Sequence, residues 1–302
     1  MTIYDLINKI PLFNDKENKI IDNIYHNDRY QSCFLVISDK CYYKLRIPSK
    51  FNPKSVENEF RALTFLSKKK ISNIPIVVEH GIIPNSNINY LVQSYHSGNS
   101  IDKIYTSLTE HDWECIINQL KNYLLSLHNL HEHKFKTFNL DHTTFENYGT
   151  MLSSGILKHL KKNVNDGLIT IDISNHIKKQ LNGIENIFLQ QPTFLHFDVK
   201  PQNIIYDTEQ QVVTVIDYEY SRFGEISHEL FRGSIAAKRN PYFFDAWSSI
   251  YKEIVEEHDN FYDQKTYYFK LFFILSELSY ANFTKDNELI SLYLKFLHDQ
   301  LC

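Results

Sequence analysis

The sequence predicts an α+β chain of two lobes, a small antiparallel-sheet lobe followed by a larger, mostly helical one. Up to about Tyr95 it reads as short β-rich runs, and beyond Gly98 as long amphipathic helices. Between them, Ser94 to Gly98 forms a natural hinge. The expected division is therefore 1–95 and 96–302.

In the first lobe "SCFLVIS", "KCYYKLRI", "IPIVVEHGII" and "INYLVQSY" are strand-like, divided by Asp39, Pro48, Pro75 and the "PNSN" turn at 84–87. One helix interrupts them. "PKSVENEFRALTFLSKKK" carries Val56, Phe60, Leu63 and Leu66 at helical spacing, with Ser55 placed to cap its start and Lys68 to Lys70 as a solvated end. In the second lobe helices are expected at about 109–131, at about 173–188, and three more from about 244 onward. Between the second and third of these lies a hairpin, "QNIIYD" and "VVTVIDYEYS", joined by the turn "TEQQ" at 208–211.

Composition narrows the class. The 302 residues are 43% hydrophobic and 23% charged, and 32 Lys and Arg against 36 Asp and Glu give a net charge of -4, which argues against a mainly electrostatic nucleic-acid binder. Cysteines 33, 41, 115 and 302 make no CxxC pair and no metal spacing with histidine, so a reduced, cytoplasmic setting is expected. "MTIYDLINKI" has no export pattern, and "YYFKLFFILSEL" is interrupted by Lys270 and Glu277, so no membrane span is expected.

The chemistry gathers in "TFLHFDVKPQNIIYD" at 193–207. A surface turn needs one or two polar residues, whereas here His196, Asp198, Lys200 and Asn203 stand between apolar Phe194 and Leu195 on one side and Ile204 and Ile205 on the other. The hairpin places Asp198, Asn203 and Asp217 together at one end. Two oxygen donors for a divalent cation beside a third carboxylate suit phosphoryl transfer.

On these residues the chain resembles the protein-kinase-like superfamily, and more narrowly its aminoglycoside phosphotransferase and choline kinase group. His196, Asp198 and Asn203 match H-x-D-x-x-x-x-N, and Asp217 in "VIDYEYS" matches the metal-binding Asp that follows. The resemblance implies a bilobal fold that binds ATP and Mg²⁺ and phosphorylates a hydroxyl of a small molecule. It makes Asp198 the catalytic base, with His196 a structural member of its loop, and Asn203 and Asp217 the Mg²⁺ ligands. Lys44 and Glu59 would be the Lys–Glu pair at the phosphates, with Glu57 the rival acid. The hinge "LVQSYHSGNSI" would set the backbone of Ser94 and His96 against adenine, and "LLSLHNL" at 124–130 resembles a Leu-x-x-Leu-His helix end.

The departures also matter. The phosphate loop "NDRYQSCFLV" has no glycine, leaving backbone amides or the Ser32 hydroxyl to meet phosphate. Lys200, two residues after Asp198, is a feature of Ser/Thr protein kinases, which keeps a protein-kinase reading open; the missing glycines keep a non-catalytic nucleotide-binding reading open. Against the first, Tyr218-Glu219 replaces Phe-Gly and no Ala-Pro-Glu follows. "DYEYS" is closer to choline kinases and adds Glu219 as a further carboxylate near the metal.

Singly, each residue has an ordinary reading: a solvated strand lysine, a helix-surface acid, a core histidine, a turn Asn. The joint order of all of them carries the reading. His128, His131 and His133 read as a polar helix terminus rather than a metal site. The acidic run at 252–263 reads first as a solvated face, and second as the lining of a pocket for a cationic substrate. Tyr242, Phe243, Phe244 and Trp247 read first as core, and second as a cation–π cage.

Overall fold

The computed structural model describes residues 3–14, 18–25, 32–48, 52–138, 143–238, 240–255 and 261–301. A short helix, α1 (Ile3–Ile7), precedes a five-stranded antiparallel sheet: β1 (Asn18–Tyr25), β2 (Ser32–Ser38), β3 (Cys41–Ile47), β4 (Val77–Ile82) and β5 (Asn89–Ser94), in the order β1-β2-β3-β5-β4. Helix α2 (Ser55–Lys68) crosses from β3 to β4. The period of two sorts the sheet's side chains. Phe34, Val36, Leu45, Ile47, Tyr90 and Val92 pack with Ile7, Ile10 and Phe13 of the N-terminal segment. Lys44 and Arg46 of β3, with Gln93 and Leu91 opposite them on β5, share the other face.

The rest of the chain is mainly helical. A two-residue strand β6 (Asn99–Ser100) leads into α3 (Ile101–Ile104) and α4 (Glu110–His128). Thr109 and Asp112 close a reciprocal capping box at the start of α4. After β7 (Phe135–Thr137) and β8 (Thr144–Phe145) come α5 (Tyr148–Asn165) and α6 (Ile171–Gln180). The hairpin follows β9 (Thr193–Leu195) as β10 (Ile204–Asp207) and β11 (Val212–Val215), with β12 (Arg222–Gly224) after it. The chain then runs through α7 (Ile226–Ala237), α8 (Pro241–Val255), α9 (Tyr262–Thr284) and α10 (Asn287–Leu301).

Two cores hold this half. In one, Ala62, Leu63 and Leu66 of α2 pack with Leu120, Leu124 and Leu127 of α4 and with hairpin residues, so the main helix of the sheet region is seated on the helical region. The other joins α5, α6, α9 and α10. Among the described residues no helix is long and apolar enough to cross a membrane; α9 instead buries Phe269, Leu271, Leu275 and Leu278 in the second core.

The expected strands, hairpin and three final helices are present, and some details differ. Ser55 is not the cap of α2. It is the first residue of the helix, buried and with no partner for its hydroxyl among the described residues, while Lys54 precedes it without a side-chain cap bond. The helix expected to about 188 ends at Gln180, and a separate turn of 3₁₀ helix at Ile184–Ile187 follows Gly183, whose φ is 78°.

Candidate active site

Strand β9 delivers the chain into the loop that carries Asp198. Its Oδ2 accepts hydrogen bonds from Lys200 Nζ at 2.7 Å and Asn203 Nδ2 at 2.9 Å, while Oδ1 lies 3.4 Å from Arg232 Nη2. The Asn203 amide also donates to the Asp198 carbonyl at 2.9 Å, bracing the loop on itself. His196 is buried beneath it: Nε2 donates to the Ile216 carbonyl at 3.0 Å and Nδ1 accepts the Asp198 N–H at 3.2 Å. Those partners require a neutral ring protonated at Nε2. Burial pushes the His196 pKa down, against the pull of Glu229, Asp198 and Asp217.

Phe197 has φ 68°, a conformation that aromatic side chains rarely adopt. Buried Glu229 of α7 holds it there. One Glu229 oxygen accepts the Phe197 N–H at 2.7 Å and the other meets His128 Nε2 at 2.8 Å. His128, expected at a polar helix terminus, is therefore a buried support under the loop.

At the end of β11 Asp217 also takes a left-handed conformation, φ 75°. Arg46 bridges two carboxylates, Nη1 to Glu59 at 2.6 Å and Nη2 to Asp217 at 2.8 Å. This corrects the expected Lys44–Glu59 pair. Lys44 and Arg46 share a strand face, but Arg46 is the one placed over Glu59 of α2, while Lys44 sits nearer the hinge, opposite Gln93. The planar guanidinium reaches both acids at once, which an ammonium cannot do as well. Glu57 turns away to Arg61 at 2.6 Å and His80 at 3.0 Å. Burial raises the Asp217 carboxyl, but Arg46, Lys200 and Lys44 outweigh it and hold the group well below the usual carboxylate range. The second Asp217 oxygen has no hydrogen-bond partner among the described residues. Lys200 is lowered by burial, yet Asp198 and Asp217 raise it more, so it stays charged.

The hinge follows β5. Ser94 N–H donates to the Ile76 carbonyl at 2.9 Å, and Ser94 Oγ lies 3.1 Å from His96 Nε2. The backbone N–H of His96 has no partner among the described residues. Ser97 Oγ donates to Asp207, whose Oδ1 accepts the Glu209 and Gln210 N–H groups of the hairpin turn. Gly98 has φ 102°, and a Cβ there would stand 2.4 Å from the Tyr206 carbonyl oxygen.

The remaining candidates divide. Ser32 opens β2, while 27–31 lie outside the described residues. Glu219 is buried, with Asn52 Nδ2 3.5 Å from Oε2. The aromatic cage does not form as a unit: Phe243 and Trp247 are buried in the core, whereas Tyr242 and Phe244 are exposed, Tyr242 stacking on Trp113. Of the acidic run, 256–260 lie outside the described residues. Reading the sequence missed Arg46, Arg222, Arg232 and Glu229. For Arg46 a signal existed, since a period-two strand puts it on the same face as Lys44.

The antiparallel-sheet N-terminal region and the helical C-terminal region are those of a kinase-like fold. The sequence matches the profile of the phosphotransferase enzyme family over residues 26–259, and the chain belongs to that family. No curated protein matches the sequence. Among solved structures, a candidate fructosamine-3-kinase from Haemophilus somnus 129PT superposes with a TM-score of 0.67 at 15% identity, over 95% of this chain and 92% of that one. A thermostable mutant of aminoglycoside phosphotransferase APH(4)-Ia, in a ternary complex with AMP-PNP and hygromycin B, gives 0.71 at 11% identity, over 99% and 97%. The GDP complex of aminoglycoside 2'-phosphotransferase-IIIa gives 0.66 at 14% identity, over 99% and 97%. At these identities the likeness speaks for the fold.

Proposed function

We propose that the protein transfers the γ-phosphate of ATP, taken with Mg²⁺, to a hydroxyl group of a small molecule. The observation that supports this best is the convergence, across the two halves of the chain, of Asp198 with its Lys200 and Asn203 partners and of Asp217 with Arg46 and Glu59.

Asp198 is the group that meets the acceptor. Its Oδ2 is engaged by Lys200 and Asn203, and Oδ1, held among the described residues only by the longer 3.4 Å contact with Arg232, is the oxygen to accept the hydroxyl proton. The acceptor oxygen bonds to the γ-phosphorus as the bond to the β,γ-bridging oxygen breaks, ADP leaves, and the hydroxyl proton passes to Asp198. Since such a transition state is loose, the carboxylate's main work is orientation. Lys200 places a cation beside the transferring group. Arg46, rather than Lys44, is the residue to hold the nucleotide phosphates, steadied by Glu59; Lys44 adds charge on the same face. Adenine lies along the hinge, where the His96 N–H is an available donor.

The oxygen donors Asp217, Asn203 and Glu219 fit Mg²⁺, which prefers few protein carboxylates and shares its shell with phosphate. The fit rests on the second Asp217 oxygen and on the Asn203 amide, whose nitrogen is spent on Asp198, leaving its oxygen as the acceptor end. Bound there, Mg²⁺ supplies neutralisation of phosphate charge. Family membership favours small molecules over protein substrates, and the complete carboxylate set argues against a non-catalytic role. A screen with ATP and Mg²⁺ over aminoglycosides, amino alcohols, sugars and nucleosides tests the reading. Acceptor-dependent ADP release is expected, and failure to bind ATP would refute it.

A further inference from the structure

Two arginines stand against the loop that carries Asp198. The Arg222 guanidinium carbon lies 3.6 Å from the centre of the Phe197 ring, and that of Arg232 lies 4.8 Å from the same centre. Phe197 immediately precedes Asp198, so both cations stand beside the loop that carries Asp198. Arg232 also lies 5.9 Å from the Tyr220 ring centre and 3.4 Å from Asp198. Lys200 takes the other Asp198 oxygen at 2.7 Å. Lys200 and Arg232 thus share one carboxylate. Of the neighbouring acids, Asp217 pairs with Arg46, and Glu229 with the Phe197 N–H and His128.

Arg222 is the sharper case. It is half-buried, its Nε donates to the Tyr220 carbonyl at 3.2 Å, and no carboxylate pairs with it among the described residues. A guanidinium removed from water without an anion is costly, and a second one on the same ring adds repulsion. Burial pushes the Arg222 pKa down to about 10 against the pull of Tyr148, with Arg232 pushing the same way. Cation–π contact offsets only part of that cost. The fork of a guanidinium matches a carboxylate or a phosphate, and it is poorly matched to the ammonium groups of a polyamine.

We infer that Arg222 and Arg232 bind an anionic group of the acceptor, so that the substrate is a hydroxyl compound carrying a carboxylate or a phosphate. This rests on the phosphotransferase reading above. The two arginines hold the anion while Asp198 meets the hydroxyl. Both are then residues of substrate recognition, and the site discriminates against cationic acceptors.

Matched pairs of probes test it: glycerate against glycerol, glucuronate against glucose, and glucose 6-phosphate against glucose. Binding to the intact protein is measured by calorimetry without nucleotide, and turnover with ATP and Mg²⁺ by ADP release. In at least one pair the anionic member should bind saturably and exceed its neutral partner by about tenfold in affinity, and the pair that responds tells carboxylate from phosphate. Arg222→Gln and Arg232→Gln should each weaken that binding by about tenfold and leave the KM for ATP within about twofold. Arg222→Lys, which keeps the charge and the stem over Phe197, should fall between, and guards against simple misfolding. Equal binding of neutral partners, a preference for an aminoglycoside, no binding of any anionic member, or variants that raise only the KM for ATP would each overturn the inference. Loss of ATP binding by the unaltered protein would instead strike the phosphotransferase reading, while the anion site stood.

Discussion

At the scale of single residues, the assignment that changes most between sequence and structure is the cation at the phosphates. Lys44 has the expected chemistry and Arg46 has the contacts, bridging Glu59 and Asp217 across 171 residues of separation to the latter. Removing Arg46 leaves two acids facing each other without their cation, one of them fully buried, so Arg46→Ala should cost about 3–5 kcal/mol in a urea melt. The same variant should raise the KM for ATP. Lys44→Ala should change stability by no more than about 0.5 kcal/mol, since Lys44 makes no ion pair among the described residues. If Lys44→Ala proves the more damaging of the two, the bridge has been given to the wrong residue. The sequence made this hard to see because positions 44 and 46 point the same way on one strand. Only the height of each along β3 relative to Glu59 separates them, and that depends on how α2 is seated. Asp198, Asn203 and Asp217 were easier, because a local hairpin of known turn length brings them together without help from distant elements.

At the scale of elements, legibility follows local pattern. β2 and β3 are dense in β-branched and aromatic residues and stand where the sequence places them. β1, "NKIIDNIY", is interleaved with Asn, Asp and Lys, pairs with β2 through two register shifts, and has no clear strand pattern of its own. Helix α5 carries Ser-Ser-Gly in its middle, where Gly155 allows close approach to Phe272, and α7 is framed by its burial rather than by a cap bond. Glu229 on α7 was invisible for the same reason: its partners, the Phe197 N–H and His128, come from 32 and 101 residues away. The hinge is different, since Gly98 announces a turn and the structure gives its reason. Gly98→Ala should destabilise the protein by about 1–3 kcal/mol, because the left-handed backbone and the Tyr206 carbonyl both exclude a Cβ. Urea denaturation checks this, and a variant as stable as the parent would show that the hinge backbone is free to move away from β10.

For the whole molecule, the division of labour between a sheet that carries Arg46 and a helical body that carries Asp198 and Asp217 means that folding stability and site chemistry share buried ionisable groups. Burial lowers the pKa of His80, His96, His196 and His228, and brings that of His159 to about 4. Groups whose folded pKa lies below the unfolded value, about 6.5 for histidine, bind fewer protons when folded. Stability should therefore be complete above about pH 7 and decline as pH falls through 6.5 toward about 4, seen as a falling urea midpoint at constant slope. A midpoint that is flat or rises over that window would contradict the buried, neutral state of these rings. The proposed reaction assigns the chemistry to Asp198 and nucleotide binding to the residues around it. Transfer of label from γ-labelled ATP to an acceptor, measured side by side in the parent and in Asp198→Asn together with ATP affinity, tests it most directly. The variant should bind ATP within a few fold of the parent while turnover falls by about 10²–10⁴; transfer at near-parental rate by Asp198→Asn would contradict that role.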